Sequence, residues 1–251
     1  MKLIASFIVA FSTYSKLPMP QKIWKDEQLR YVFIFFPFVG AVIGVLEYLT
    51  WYLSTCFCMD MLFRNCIMAA LPLVVTGGIH VDGYMDTRDA FGSYQDKEKK
   101  LEIMKDPHVG GAAITSFAVY GLIYLACLTC IQDIAEMTIV CAGFVTSRSL
   151  CSLVVLNCTM ARKTGMLVYM REKAGRIACS ICNVILTVAV FAMIVWFSGM
   201  QAFIAIALQL LATGYVIASS KKQLGGVNGD IAGYMVLLCE LMTVVSVVYI
   251  R

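Results

Sequence analysis

The sequence predicts an all-α protein, a polytopic transmembrane helical bundle of about seven spans preceded by a short N-terminal helix that is re-entrant or interfacial. Three observations lead there. The 251 residues are 60% hydrophobic and only 14% charged, with mean hydropathy +0.80, whereas soluble chains carry about 25% charged residues. Several apolar runs reach the ~20 residues needed to cross a hydrocarbon core. The basic residues gather in alternate loops between those runs. A water-soluble domain is excluded, and residues 1–251 form a single integral membrane domain.

The first apolar stretch, Lys2–Phe11, is too short to span, and Lys16-Leu17-Pro18-Met19-Pro20 breaks any helix after it. A signal peptide is the alternative, but no small-residue cleavage site precedes the prolines. The predicted spans are Tyr31–Cys56, Asn65–Thr76, Gly110–Ile131, Ala135–Met160, Ile177–Phe197, Gln201–Ser219 and Ile231–Ile250. Four loops hold most of the lysines and arginines: Lys16 to Arg30, Arg88 to Lys105, Arg162 to Arg176, and Lys221-Lys222. The positive-inside rule places these loops in the cytoplasm of a cell-membrane protein and the C-terminus outside. The net charge of +4 therefore reports orientation in a lipid bilayer and implies no nucleic-acid partner. Eight of the eleven cysteines lie inside apolar runs, among them Cys127-x-x-Cys130 and Cys179-x-x-Cys182, and read as buried thiols instead of disulfide or zinc pairs.

Between His80 and His108 the composition changes: seven of the sixteen acids and both histidines lie there. On a helix, the offsets of four and three place Asp82, Asp86 and Asp89 on one face. Three bare carboxylates repel one another and call for a cation, and hard oxygen ligands favour Mg²⁺ or Mn²⁺. Glu102 and Asp106 repeat the offset of four on a following helix, with Lys105 beside them. Packed as an acidic cytoplasmic hairpin, the two helices would turn five carboxylates into one metal site suited to phosphoryl transfer. His80 and Asp106 are the candidate general bases; His108 is explained as well by capping.

Other polar residues lie deeper. Arg148, within an apolar run, costs about 2.5–3.5 kcal/mol at membrane depth unless paired, so a phosphate or carboxylate partner is expected. Arg162 and Lys163 add candidate phosphate contacts, with charge-driven orientation as the equal alternative. Gly225-Gly226-Val227-Asn228-Gly229-Asp230 is a glycine-rich turn able to offer backbone N–H groups to an anion, and Glu240 follows inside the last span.

Gly78-Ile-His80-Val-Asp82-Gly83-Tyr-Met-Asp86-Thr-Arg-Asp89-Ala90 and Leu101-Glu102-Ile-Met-Lys105-Asp106-Pro-His-Val-Gly110 closely resemble the signature of the adenosylcobinamide-GDP ribazoletransferase (cobalamin 5′-phosphate synthase) family. Leu17-Pro18-Met19-Pro20, Phe36-Pro37 with Gly40, Ser147-Arg148, Arg162 with Gly165, and Gly225 through Glu240 extend the resemblance along the chain. Lys16, where arginine is expected, and Asn228, where threonine is common, are small departures. The resemblance implies a membrane enzyme of cobalamin biosynthesis that joins adenosylcobinamide-GDP to α-ribazole or its 5′-phosphate and releases GMP with Mg²⁺. It further implies that Asp82, Asp86, Asp89, Glu102 and Asp106 hold metal and diphosphate.

Two other readings compete. A CDP-alcohol phosphatidyltransferase would need Ala-Arg where Asp86-Thr87 stand and an acid where Lys100 stands, so a lipid substrate is disfavoured. A divalent-cation transporter would spread its acids at mid-membrane depth over several helices, whereas these acids cluster in one loop. Gly40-x-x-x-Gly44 is the best packing motif, for a homo-oligomer or within one subunit.

Overall fold

The computed structural model describes residues 2–20 and 24–248. In chain order its helices are α1 (Lys2–Tyr14), α2 (Asp26–Leu29), α3 (Val32–Cys56), α4 (Met61–Thr76), α5 (Ile79–Gly92), α6 (Lys97–Ile103), α7 (Gly111–Leu128), α8 (Ile134–Asn157), α9 (Met166–Lys173), α10 (Arg176–Ser198), α11 (Gln201–Leu224) and α12 (Gly229–Val248). Among the described residues the only strand-like pairing is one bridge, Met160 with Val227. Helices α3, α7, α8, α10, α11 and α12 are long and apolar enough to cross a membrane, and the bent pair α4 and α5 makes a seventh candidate. The expected all-α bundle is borne out. The predicted exterior C-terminus, Arg251, lies outside the described residues.

Helix α1 is too short to cross, as its apolar run requires. It packs on α3 through Phe7–Phe35 and Tyr14–Phe36 ring contacts at 5.7 and 4.2 Å, and Ser6 Oγ donates to Gln28 O at 2.7 Å. Helix ends are closed by side chains where the sequence supplies them. Asp60 caps α4 by accepting from Phe63 N–H at 3.1 Å, and Asp133 with Glu136 forms a capping box on α8.

Helix α8 is the buried centre of the bundle. Lipid offers no hydrophobic drive between helices, so close backbone approach and interhelical hydrogen bonds hold the spans together. Gly40 and Gly44 supply the approach of α3 to α8. A Cβ on Gly44 would lie 2.8 Å from Cys141 O, and one on Gly40 would overlap the carbonyl of Phe144. This glycine pair therefore serves packing within the subunit. Gln209 of α11 bridges Thr146 of α8 and Thr243 of α12, at 2.7 Å each. Asn183 of α10 accepts from Ser149 Oγ and donates to Phe33 O, both at 3.0 Å. Arg148 of α8 donates to Glu240 of α12 at 2.5 Å.

Gly40→Val should lower stability in detergent by about 1–3 kcal/mol, because α3 must move off α8. Gly121→Ala, whose added carbon meets nothing within 4 Å, should stay within about 0.5 kcal/mol. Thermal unfolding of both variants in micelles checks the contrast; equal effects would contradict it.

Candidate active site

The chain turns into the site at two glycines. Gly77 and Gly78 both adopt left-handed conformations, φ 62° and 78°, which residues with a Cβ avoid. The path bends by 93° between α4 and α5. Helix α5, with four charged residues among its fourteen, thus turns away from the axis of α4. Lys16 folds over Gly77, and its backbone N–H donates to Val75 O at 2.8 Å.

Helix α5 rests on the start of α12 at a glycine crossing. A Cβ on Gly83 would lie 2.7 Å from Asp230 O, and one on Gly233 would lie 2.9 Å from His80 O. Such close contact brings the acids of α5 to Asp230. Asp86 shows the consequence: its carboxyl is pushed up to about 7, first by burial and then by the charges of Asp82, Asp230 and Asp89, with Arg162 acting in the opposite sense.

Asp230 is held from both sides. Asn228 caps α12 by accepting from Ile231 N–H at 2.9 Å, and its amide donates to Asp230 Oδ2 at 2.9 Å. Arg162 Nη2 stands 3.7 Å from the same oxygen and donates to Leu101 O at 3.1 Å. The Arg162 Nε is buried without a partner. Two backbone bonds of 2.8 Å, Val227 N–H to Thr159 O and Ala161 N–H to Val227 O, tie the Arg162 loop to the Asp230 loop.

Several expected residues take other roles. Asp89 uses both oxygens to cap α7, accepting from Gly110 N–H at 2.6 Å and Ala113 N–H at 2.8 Å. Glu102 is exposed and paired with Lys99 at 2.9 Å. Asp106 is exposed and bonded to His108; the His108 backbone N–H, then its ring, hold the carboxyl below its ordinary value. Lys105 is exposed and has no ion pair among the described residues. The hairpin of α5 and α6 does not, therefore, turn five carboxylates into one site. A seven-residue helix such as α6 buries none of its acids, and Asp230 stands beside Asp82 and Asp86 in place of Glu102 and Asp106. Gly225 and Gly226 spend their N–H groups on Lys221 O and Ser220 O, closing α11, so the glycine turn is a helix cap and not an anion nest.

Arg148 has the carboxylate partner expected of it, Glu240. Its side chain is fully buried and, with Glu240, lines a cavity that also reaches His80 and Thr76. His80 is 5% exposed, lies 5.7 Å from the Phe36 ring, and leaves its Nε2 without a partner. Two clefts meet at Asp82. The larger, of about 970 Å³, has Ser12, Thr13, Ser15 and Lys16 on one wall and the Gly77-Gly78 turn on another. The smaller, of about 220 Å³, reaches His80, Asp82 and Asp230. In the sequence Lys16 takes a place in a basic loop and a proline motif; its position just after the hydroxyls of Ser12, Thr13 and Ser15 is the available signal for a cleft wall.

Among the described residues no three His, Cys, Asp or Glu side chains are drawn to coordinating distance. The donor set still suits a hard cation: three oxygen donors, crowded enough to raise one carboxyl, with one arginine to offset them.

Comparison with known proteins bears on what this centre does. A family model described as cobalamin-5-phosphate synthase matches residues 6–248. An adenosylcobinamide-GDP ribazoletransferase of Lachnoclostridium phytofermentans is 35% identical over 248 residues, covering 99% of this chain and 95% of that protein. Proteins of the same name from Clostridium perfringens and Geobacillus thermodenitrificans are 28% and 29% identical, each across 92% of this chain and 92% and 90% of their own lengths. No solved structure matches.

The raised carboxyl of Asp86 has a measurable cost. Its folded value of about 7 exceeds the ordinary 3.8, so ionising it removes stability as pH rises through that window. Asp86→Asn should raise the melting temperature of metal-free protein at pH 8 and do so less at pH 5. A shift independent of pH would show that Asp86 is not crowded by its neighbours.

Proposed function

The chain belongs to the cobalamin-5-phosphate synthase family, and from that premise we propose how its acidic centre works. The enzyme is an adenosylcobinamide-GDP ribazoletransferase of cobalamin biosynthesis: it joins adenosylcobinamide-GDP to α-ribazole, or its 5′-phosphate, giving the cobalamin or its 5′-phosphate and releasing GMP. Family membership sets aside the lipid-synthase and transporter readings. The observation that supports the site assignment is the crossing that sets Asp82 and Asp86 against Asp230, with Arg162 alongside and Asp82 on the wall of the large cleft.

In this reaction a ribazole hydroxyl attacks the phosphorus that carries cobinamide. A new P–O bond forms, the bond to the GMP oxygen breaks, and the hydroxyl proton passes to a carboxylate. The diphosphate brings more negative charge to a site already rich in it, and Arg162 alone does not balance that charge. Mg²⁺ or Mn²⁺ fits the oxygen donors, and when bound it offsets phosphate charge and polarises the P–O bonds. Asp82, Asp86 and Asp230 would hold the ion, and the guanidinium of Arg162, beside Asp230, would contact the diphosphate. The basic loops beside the site support a position at the cytoplasmic face of the cell membrane. The cleft of about 970 Å³ is of the size for the cobinamide part of the donor.

Purified protein in detergent, given adenosylcobinamide-GDP, α-ribazole and Mg²⁺, should release GMP and form corrinoid product, and EDTA should stop both. Asp82→Asn and Asp86→Asn should each lower kcat about 100-fold or more. Near-normal turnover in either folded variant would overturn the assignment of the centre.

A further inference from the structure

The smaller cleft has no part in the account so far. It is a slot of about 220 Å³ lined by α1, α3, the start of α5, α8, α9 and the start of α12, and one end reaches Asp82 and Asp230. Tyr14 and Phe36 contribute one stretch of wall, their ring centroids 4.2 Å apart, and His80 continues it at 5.7 Å from Phe36. Another stretch comes from α9, through Met166, Leu167 and Met170. Aromatic rings and thioethers favour the faces of a flat aromatic guest. The volume lies below the roughly 300–1,000 Å³ of sites for drug-sized ligands, so one bicyclic base fits and a corrin ring does not.

We propose that this slot binds the dimethylbenzimidazole base of α-ribazole and so sets which acceptor the enzyme uses; the inference rests on the transferase reading above. Both substrates carry a bicyclic base, and their chemistry separates them. Guanine presents a carbonyl, a ring N–H and an amino group, each needing a partner when buried. The benzimidazole base presents two methyl groups and one free ring nitrogen. Polar groups of the wall are largely spent: Thr13 Oγ1 donates to Val9 O at 2.7 Å and Ser152 Oγ to Phe33 O at 3.2 Å, while Asp82 and Asp230 belong to the acidic centre. The Tyr14 hydroxyl and the His80 ring remain, the latter buried with its Nε2 unpartnered; a donor from either suffices for the single nitrogen of the base, whereas guanine would bury its ring N–H and amino group without enough acceptors. With the base in the slot, the ribose stands at its Asp82 end, next to the phosphorus it attacks.

Three variants of the full-length enzyme test this, with both substrates titrated in separate series. Leu167→Trp and the more peripheral Met166→Trp fill the slot and should raise the KM for α-ribazole about tenfold or more, leaving the KM for adenosylcobinamide-GDP unchanged. Leu167→Ala, which only removes bulk, should improve the use of ribosides with larger 5,6-substituents relative to α-ribazole. In the wild type, free dimethylbenzimidazole should compete with α-ribazole and not with the donor. A higher donor KM with unchanged α-ribazole KM would assign the slot to guanine and overturn the proposal, as would competition against the donor. Absence of corrinoid product from the wild type would instead overturn the transferase reading itself.

Discussion

Helix α5 touches α12 backbone to backbone because Gly83 and Gly233 leave no side chain between them. Every other feature of the site follows from that contact. Any larger residue at either position would push the helices apart by the width of a methyl group or more, and Asp230 would separate from Asp82 and Asp86. The crossing also depends on how α5 arrives. Two consecutive left-handed glycines at the end of α4 turn the chain through 93°, so that a helix carrying three aspartates leaves the line of α4 instead of prolonging it.

The position of α12 is itself fixed from the other side. Arg148 and Glu240 are both buried in the bundle, and removing either partner would leave an uncompensated charge costing about 3–5 kcal/mol. A pair of that kind permits little sliding of α12 along α8, since a one-turn slip would part the charges. Gln209 adds a second pin, joining α8, α11 and α12 through two hydroxyls. The reactive end of α12 is thus set by interactions far from it, in the middle of the spans.

Much of this was legible in the sequence. Hydropathy placed the spans, the prolines after Lys16 ended the first helix, and the offset of four brought Asp82 and Asp86 to one face. The same offset misled at Glu102 and Asp106, because helical spacing says which residues share a face and nothing about what that face meets. Helix α6 ends at Ile103, before Asp106, and both acids face solvent, where Lys99 and His108 pair with them. Asp89 matched the face too, but its carboxylate is taken by the N-terminus of α7. Asp230 was read as part of a glycine-rich anion loop; its closeness to Asp86 arises from a crossing between distant segments that no local pattern records. The small slot was invisible for the same reason, being walled by a few residues from each of six separate elements.

The acidic centre consists of Asp82, Asp86 and Asp230, and Glu102 and Asp106 stand apart from it. Titration of the purified protein with Mn²⁺, followed by electron paramagnetic resonance, tests this directly. Asp230→Asn should weaken binding about tenfold or more, the loss typical of disturbing a metal site, while Glu102→Gln combined with Asp106→Asn should leave it unchanged. Retained binding in Asp230→Asn together with loss in the double variant would contradict the account.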